Sequence, residues 1–146
     1  MKIAICCDHG ALALKNAVME HLTKLGHEVV NFGTDTLASC DYPDFVGPAA
    51  KAVACGDCDR GIALCTTGIG VSTAANKVHG IRCALLSDKM SARLTREHND
   101  TNRMAMGAGV VGEMLALEIV DTWLGTEFSH NERHQRRIDK VMALEA

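Results

Sequence analysis

The chain has 146 residues, 47% of them hydrophobic but only 3% aromatic, with a formal charge of −3 at neutral pH. That length suits one domain with a core of its own, built from Ala, Val, Leu, Ile and Met rather than stacked rings. The acidic balance and the scarcity of aromatic platforms argue against nucleic acid as a partner, and no apolar run approaches the roughly 20 residues that cross a bilayer.

Residues 2–6 read as a strand at once, with no signal peptide ahead of them. Leu14, Val18, Leu22 and Leu25 then mark one helix face, which Gly26 closes. Residues 28–32 form a second strand. After turn signals at Asp41-Tyr42-Pro43, Val46, Ala49, Ala50 and Val53 make another helical stripe. Residues 62–65 are a third strand, and the small-residue segment after the following Thr/Gly loop opens a helix. Residues 83–87 and 104–107 are strands four and five, with helices expected over 89–97, 113–124 and 133–144. No linker, repeat or low-complexity stretch interrupts the alternation. The pattern predicts an α/β fold: a single-domain three-layer α/β/α sandwich, Rossmann-like, with right-handed crossovers and a five-stranded parallel sheet. Seven cysteines, with Cys6 and Cys7 adjacent, make a disulfide framework unexpected and a reduced, cytoplasmic protein expected.

In such sheets ligands sit outside the carboxyl ends of the strands. The rule gathers Asp8-His9-Gly10, residues 65–70, the Ser87 loop and the segment after Gly107. The richest of these is Cys65-Thr66-Thr67-Gly68-Ile69-Gly70. Strand, tight loop and helix in that order aim backbone N–H groups at one spot and add the positive end of a helix dipole. Such a place holds an anion or a developing oxyanion and suits a reactive thiol; the plainer reading is a glycine-rich turn with a buried structural cysteine. Asp8 and His9 are either an N-cap beside a solvated imidazole or a pair that holds a substrate hydroxyl and an anion. Their place on the same sheet edge as Cys65 favours the second.

His98 lies in the polar run Arg96-Glu97-His98-Asn99-Asp100-Thr101-Asn102. A histidine at a helix end is often merely solvated, yet the crowd of donors and acceptors exceeds what a turn requires, and imidazole is suited to moving protons near neutral pH. Arg133 and Arg137 share one face of the last helix, with Arg136 beside them. A solvated basic face is the ordinary reading, but cations at a helix start oppose its dipole, and a bound phosphate would account for them. Cys55-Gly56-Asp57-Cys58 follows a helix and precedes a strand, and no second ligand pair exists for zinc, so it reads as a structural turn. His21, His27, His79 and His130 show no ligand spacing and read as surface residues.

A thiol base, a proton carrier and a phosphate clamp on one edge suit proton transfer next to a carbonyl. A hydride-shift isomerase would need two metals in a carboxylate/His cage, and the sequence holds no such cluster; no metal or cofactor is called for. At this point the chain resembles the ribose-5-phosphate isomerase B family, within the ribose/galactose isomerase group. The likeness runs through Cys7-Asp8-His9, Asp41-Tyr42-Pro43, residues 65–70, Ala74-Ala75-Asn76-Lys77, residues 98–102 and Arg133-His134-Gln135, and covers essentially the whole chain.

The resemblance implies a metal-free aldose–ketose isomerase that interconverts ribose 5-phosphate and ribulose 5-phosphate through an enediol. It makes Cys65 the base, with His98 and Thr67 assisting ring opening. Asp8, His9, Tyr42 and Asn99 would line the sugar, the amides of Thr66, Thr67, Gly68, Ile69 and Gly70 would hold the enediolate, and Arg133 and Arg137 would bind phosphate. The family's sites are shared across a dimer interface, which implies a homodimer at least and leaves a tetramer open. One branch replaces the cysteine with a Glu just after the glycine loop; Val71 stands there, which places this chain with the thiol branch. Many members carry an arginine after the fifth strand where this chain has Gly109, so either Arg136 or another group compensates or the preferred sugar differs. The alternatives are another phosphorylated sugar (a tetrose phosphate, allose 6-phosphate or galactose 6-phosphate) or a non-catalytic sugar-phosphate binding module.

Overall fold

A computed structural model describes residues 1–145. The strands are β1 (Lys2–Cys7), β2 (Glu28–Asn31), β3 (Arg60–Cys65), β4 (Cys83–Leu85) and β5 (Arg103–Gly107). They form one sheet in the order β2-β1-β3-β5-β4, and every neighbouring pair is parallel. Among the described residues six α-helices accompany it: α1 (Leu12–Lys24), α2 (Pro43–Ala54), α3 (Ile69–Ala75), α4 (Lys89–Asn99), α5 (Glu113–Gly125) and α6 (Glu132–Met142). This is the expected single-domain α/β sandwich.

The central strands are apolar on both faces, as strands covered by helices on each side must be. Alternation then sorts their residues into two unlike layers. Ile3, Ile5, Ile62, Leu64, Met104 and Met106 face a layer of large side chains completed by α1, α5 and the wholly buried Trp123. Ala4, Cys6, Ala63, Cys65 and Ala105 face α2 and α3 across a layer of small ones. Small side chains let those two helices lie close to the sheet. The connections turn back between β1, whose α1 leads outward to β2, and β3, which leads the other way. Such a reversal opens a crevice at the carboxyl ends, and both β1 and β3 end there on candidate residues.

Several boundaries differ from the sequence expectation for local reasons. Helix α1 stops at Lys24, leaving Leu25 as a cap and 54% exposed instead of on the buried stripe. Strand β2 stops at Asn31, whose Oδ1 accepts the Gly33 N–H at 2.8 Å and turns the chain. Strand β4 is only Cys83–Leu85, paired on one side alone. Helix α6 starts at Glu132 because Asn131 Oδ1 caps it, accepting the Arg133 N–H at 2.9 Å, and a 3-10 turn replaces its expected last turn. Cys55 caps α2 and Gly56 takes a φ of +85°, so Cys55–Cys58 is the structural turn the sequence suggested, with both thiols free.

Candidate functional site

Strand β3 carries Cys65 to the carboxyl edge, where the thiol is nearly buried. Three residues later the chain turns on Gly68, which has a φ of +77° and heads α3. That left-handed conformation suits glycine, and space demands it too: a Cβ there would lie 2.6 Å from Leu85 Cδ1 and 2.7 Å from the Met106 carbonyl carbon. The turn swings the Gly68 amide back so that it donates to Cys65 Sγ at 3.1 Å. The first three amides of a helix have no helical acceptor, since the Ser72 N–H is the first to find one, at Gly68 O. The Ile69 amide instead donates to Thr67 Oγ1 at 3.2 Å, which leaves the Thr67 hydroxyl proton free for another acceptor. Helix α3 has only seven residues, so the donors here are the loop amides themselves rather than the dipole of a long helix.

The loop is held from both sides. Ala108 N–H donates to Cys65 O at 2.8 Å and Gly109 N–H to Thr66 O at 2.9 Å. A Cβ on Gly107 would lie 2.5 Å from the Thr67 carbonyl carbon, and one on Gly10 would collide with Thr66 Oγ1. The segments after β3 and β5 therefore meet backbone to backbone, while Gly10 after β1 makes room for the Thr66 side chain. Gly109 stands where the family resemblance anticipates an arginine; it is exposed, and its close approach to Thr66 leaves a Cβ only 3.0 Å from that carbonyl. Tyr42, just ahead of α2, lies across Gly70, where a Cβ would sit 2.8 Å from its ring.

At the end of β1, Asp8 caps a short 3-10 turn, its Oδ1 accepting the Gly10 N–H at 2.9 Å. The capping role that sequence offered as the plain alternative is thus real, and it orients the carboxylate beside the Thr66 loop without excluding a ligand. His9 Nδ1 accepts the Cys40 N–H at 3.3 Å. Because an amide can only donate, the neutral imidazole carries its proton on Nε2. Nothing in the sequence marked Cys40 as the residue that sets this tautomer.

A second group lies on α4 and α6. The His98 ring, in the last turn of α4, sits 4.3 Å from that of His134. His134 is buried, with Ser129 Oγ 2.7 Å from its Nδ1 and Arg133 Nη2 3.5 Å from its Nε2. Burial, then the positive neighbours His98, Arg133 and Arg137, hold the His134 imidazole below its usual pKa. The sequence offers it only as part of the Arg133-His134-Gln135 motif; it is buried because it shares the inward face of α6 with Ile138, four residues on, and packs against His98 of α4. His98 and Asn99 open on a shallow cleft of 290 Å3 that Leu85 also lines, and the same leucine packs against Gly68. Arg137 and Asn99 border a larger 550 Å3 cavity between β4, α4 and α6, which does not include Cys65.

The candidate residues thus fall into two groups. Asp8, His9, Tyr42, Cys65, Thr66, Thr67, Gly68, Ile69 and Gly70 gather at the β1/β3 crevice, whereas His98, Asn99, Arg133 and Arg137 belong to the α4/α6 end. Among the described residues no hydrogen bond joins the two, and none form a metal-holding group of three or more His, Cys, Asp or Glu. Among the described residues no helix is long and apolar enough to cross a membrane.

The model of one protein family, Ribose/Galactose Isomerase, matches residues 3–141. The chain belongs to this family. Ribose-5-phosphate isomerase B of Escherichia coli is 46% identical over 144 residues, covering 99% of this chain and 96% of its own. Galactose-6-phosphate isomerase subunit LacB of Clostridium acetobutylicum is 38% identical, covering 97% of this chain and 82% of its own. Among solved structures, Clostridium thermocellum ribose-5-phosphate isomerase B superposes with a TM-score of 0.97 at 52% identity, covering 99% of this chain and 97% of the other. This ribose/galactose isomerase is accordingly a sugar-phosphate isomerase.

Proposed function

We propose that this isomerase interconverts ribose 5-phosphate and ribulose 5-phosphate through an enediolate, with Cys65 as the base. The observation that carries the reading is the Gly68 amide, which donates to Cys65 Sγ at 3.1 Å at the head of α3, where the Gly70 and Val71 amides have no helical acceptor. The thiolate removes the proton from C2 of the open aldose, the electron pair forms the C1–C2 double bond, and the aldehyde oxygen becomes the enediolate oxygen. Cys65 returns the proton to C1 while the proton of the C2 hydroxyl passes to the oxygen on C1, which leaves the ketose. An amide donor placed for the enediolate oxygen is worth roughly 3 kcal/mol of barrier.

Thr67, whose hydroxyl proton is free, and His98 open the ring; Asp8, His9 through its Nε2–H, Tyr42 and Asn99 hold the sugar hydroxyls. Arg133 and Arg137 grip the phosphate, since guanidinium forks match its oxygens. Gly109 adds nothing to that grip, so the clamp depends on α6 alone.

The separation of the two groups within one chain supports a homodimer in which one copy completes the other's site. Exposed apolar side chains ring the carboxyl edge: Ile69, Leu85, Met90, Val110 and Met114, the last 80% exposed. A patch of that kind marks a docking surface, and a second copy would cover it. The domain as a whole, residues 1–146 with the last helix supplying arginines, is then one isomerase unit. Seven free cysteines suit a reducing, cytoplasmic setting.

Cys65→Ala should lower turnover by about three orders of magnitude with the fold retained, and isomerisation in deuterium oxide should label the product carbon. Full activity in that variant would remove Cys65 as the base. A second reading, that another phosphorylated sugar is preferred, is favoured by the bare Gly109. A panel of pentose, tetrose and hexose phosphates compared by kcat/KM decides it, and turnover of none despite binding would leave a sugar-phosphate binding module.

A further inference from the structure

The small-residue layer beneath Cys65 holds a charge. Arg103 opens β5 and is wholly buried. Its side chain lies across β3 in the space that Gly61 leaves, where a Cβ would sit 3.0 Å from its Cγ and Nε. The guanidinium reaches toward β1 and donates from Nη2 to Cys6 Sγ at 3.5 Å. Its Nε and Nη1 have no partner, and among the described residues no carboxylate pairs with it. Guanidinium stays protonated in proteins, and a lone cation in an apolar interior is costly. The other buried cations are answered: Lys15 by Asp35 at 2.6 Å and Arg96 by Asp100 at 2.8 Å.

The groups around Arg103 that are able to carry negative charge are thiols. Strand β1 offers Cys6, β4 offers Cys83 and β3 offers Cys65, and the turn before β3 adds to the layer Cys58, whose thiol burial also pushes up. From α2 and α3 the layer receives Val46, Ala49, Ala50, Val53, Val71 and Ala75, none of them ionisable. Asp8 and Tyr42 stand at the loop rim, and Lys15, across the sheet, is already paired. Burial pushes the Cys6 thiol up, and pushes the Cys83 thiol up to about 12, so neither answers the charge at neutral pH. Cys6 is in register with Ala63, which puts Cys65 two residues further along the same face, about 7 Å of strand rise.

We propose that Arg103 is a positioning charge for the base: its uncompensated guanidinium, set in the apolar layer below the crevice, stabilises the thiolate of Cys65. The proposal rests on the reading of Cys65 as the base, but its test does not. Thiolate absorbance at 240 nm is titrated in the wild type and in Arg103→Met, each with Cys65→Ser subtracted, so that the difference reports Cys65 alone. Arg103→Met and Arg103→Leu replace a buried charge with apolar groups, a change that folds often tolerate.

The expected result is a midpoint higher by about one pH unit in both neutral variants, and kcat/KM at neutral pH about tenfold lower with recovery in alkali. Arg103→Lys should restore most of the shift. An unmoved midpoint in a folded neutral variant overturns the proposal, as does a shift that lysine leaves uncorrected. Failure of both neutral variants to fold would make the charge a structural requirement and overturn it too. If Cys65→Ser stays fully active, the base assignment falls while the titration still judges Arg103.

Discussion

Replacing Gly68 by alanine separates the two demands that the Cys65 loop makes on its backbone. The first is conformational: at a φ of +77° a Cβ costs roughly 1–2 kcal/mol. The second is steric, because the new methyl would lie 2.7 Å from the Met106 carbonyl carbon and 2.9 Å from the Gly107 amide, backbone atoms that cannot swing aside. Overpacking of this kind adds about 1–3 kcal/mol, for a total near 3 kcal/mol. In a domain of this size that is a fall in Tm of about 9 °C. Gly26 supplies the control: its φ is +87°, but nothing lies within 4 Å of its Cβ position. Gly26→Ala should therefore cost about 1 kcal/mol from strain alone, and the entropy that alanine removes from the unfolded chain is common to both variants. Relief of the Gly68 clash must move the loop, taking the amide from Cys65 Sγ, so kcat should fall about 100-fold. Thermal melts and initial rates on both variants decide the matter. A Gly68→Ala protein that melts with Gly26→Ala and turns over like the wild type would refute the whole account of how this loop is held.

Further outcomes follow from buried groups away from the loop. The unfolded chain protonates His134 near pH 6.5, whereas the fold holds it neutral to lower pH. Stability should therefore decline as pH falls below about 6.5, and His134→Gln should flatten that slope in urea melts; an unchanged slope would show that other groups titrate. Trp123 is wholly buried and its Nε1–H donates to Thr101 Oγ1 at 3.0 Å. Trp123→Phe should cost about 3 kcal/mol, from lost volume and an orphaned hydroxyl, with kcat unchanged in the folded fraction by differential scanning calorimetry and activity assays.

Much of this protein is local and could be read along the chain. Alternating short apolar runs and helical stripes settle the parallel α/β sandwich, because period and length are properties of neighbouring residues. Val46, Ala49, Ala50 and Val53 are all buried as their spacing requires. The Thr/Gly loop after Cys65 was equally legible, since only glycine tolerates the turn at Gly68 and a strand ending there must deliver its last side chain to the edge.

What depended on tertiary structure is every statement about which distant segments meet. Lys15 lies on α1 as if a surface lysine, yet it is sealed inside because Asn31 at the end of the next strand, and the Thr34 carbonyl and Asp35 just beyond it, satisfy its ammonium. Leu25 has the right spacing for burial, but the helix ends one residue before it. Tyr42 over Gly70, Cys40 on His9 and Arg103 across Gly61 are contacts between chain segments tens of residues apart, and no periodicity encodes them. The same holds for the division of the candidate residues: Cys65 and His98 are each recognisable by type and neighbourhood, but their separation within one chain follows from the strand order β2-β1-β3-β5-β4. Strand order is fixed by how helices of given bulk cover each face, a cooperative packing property that appears only when the whole core closes.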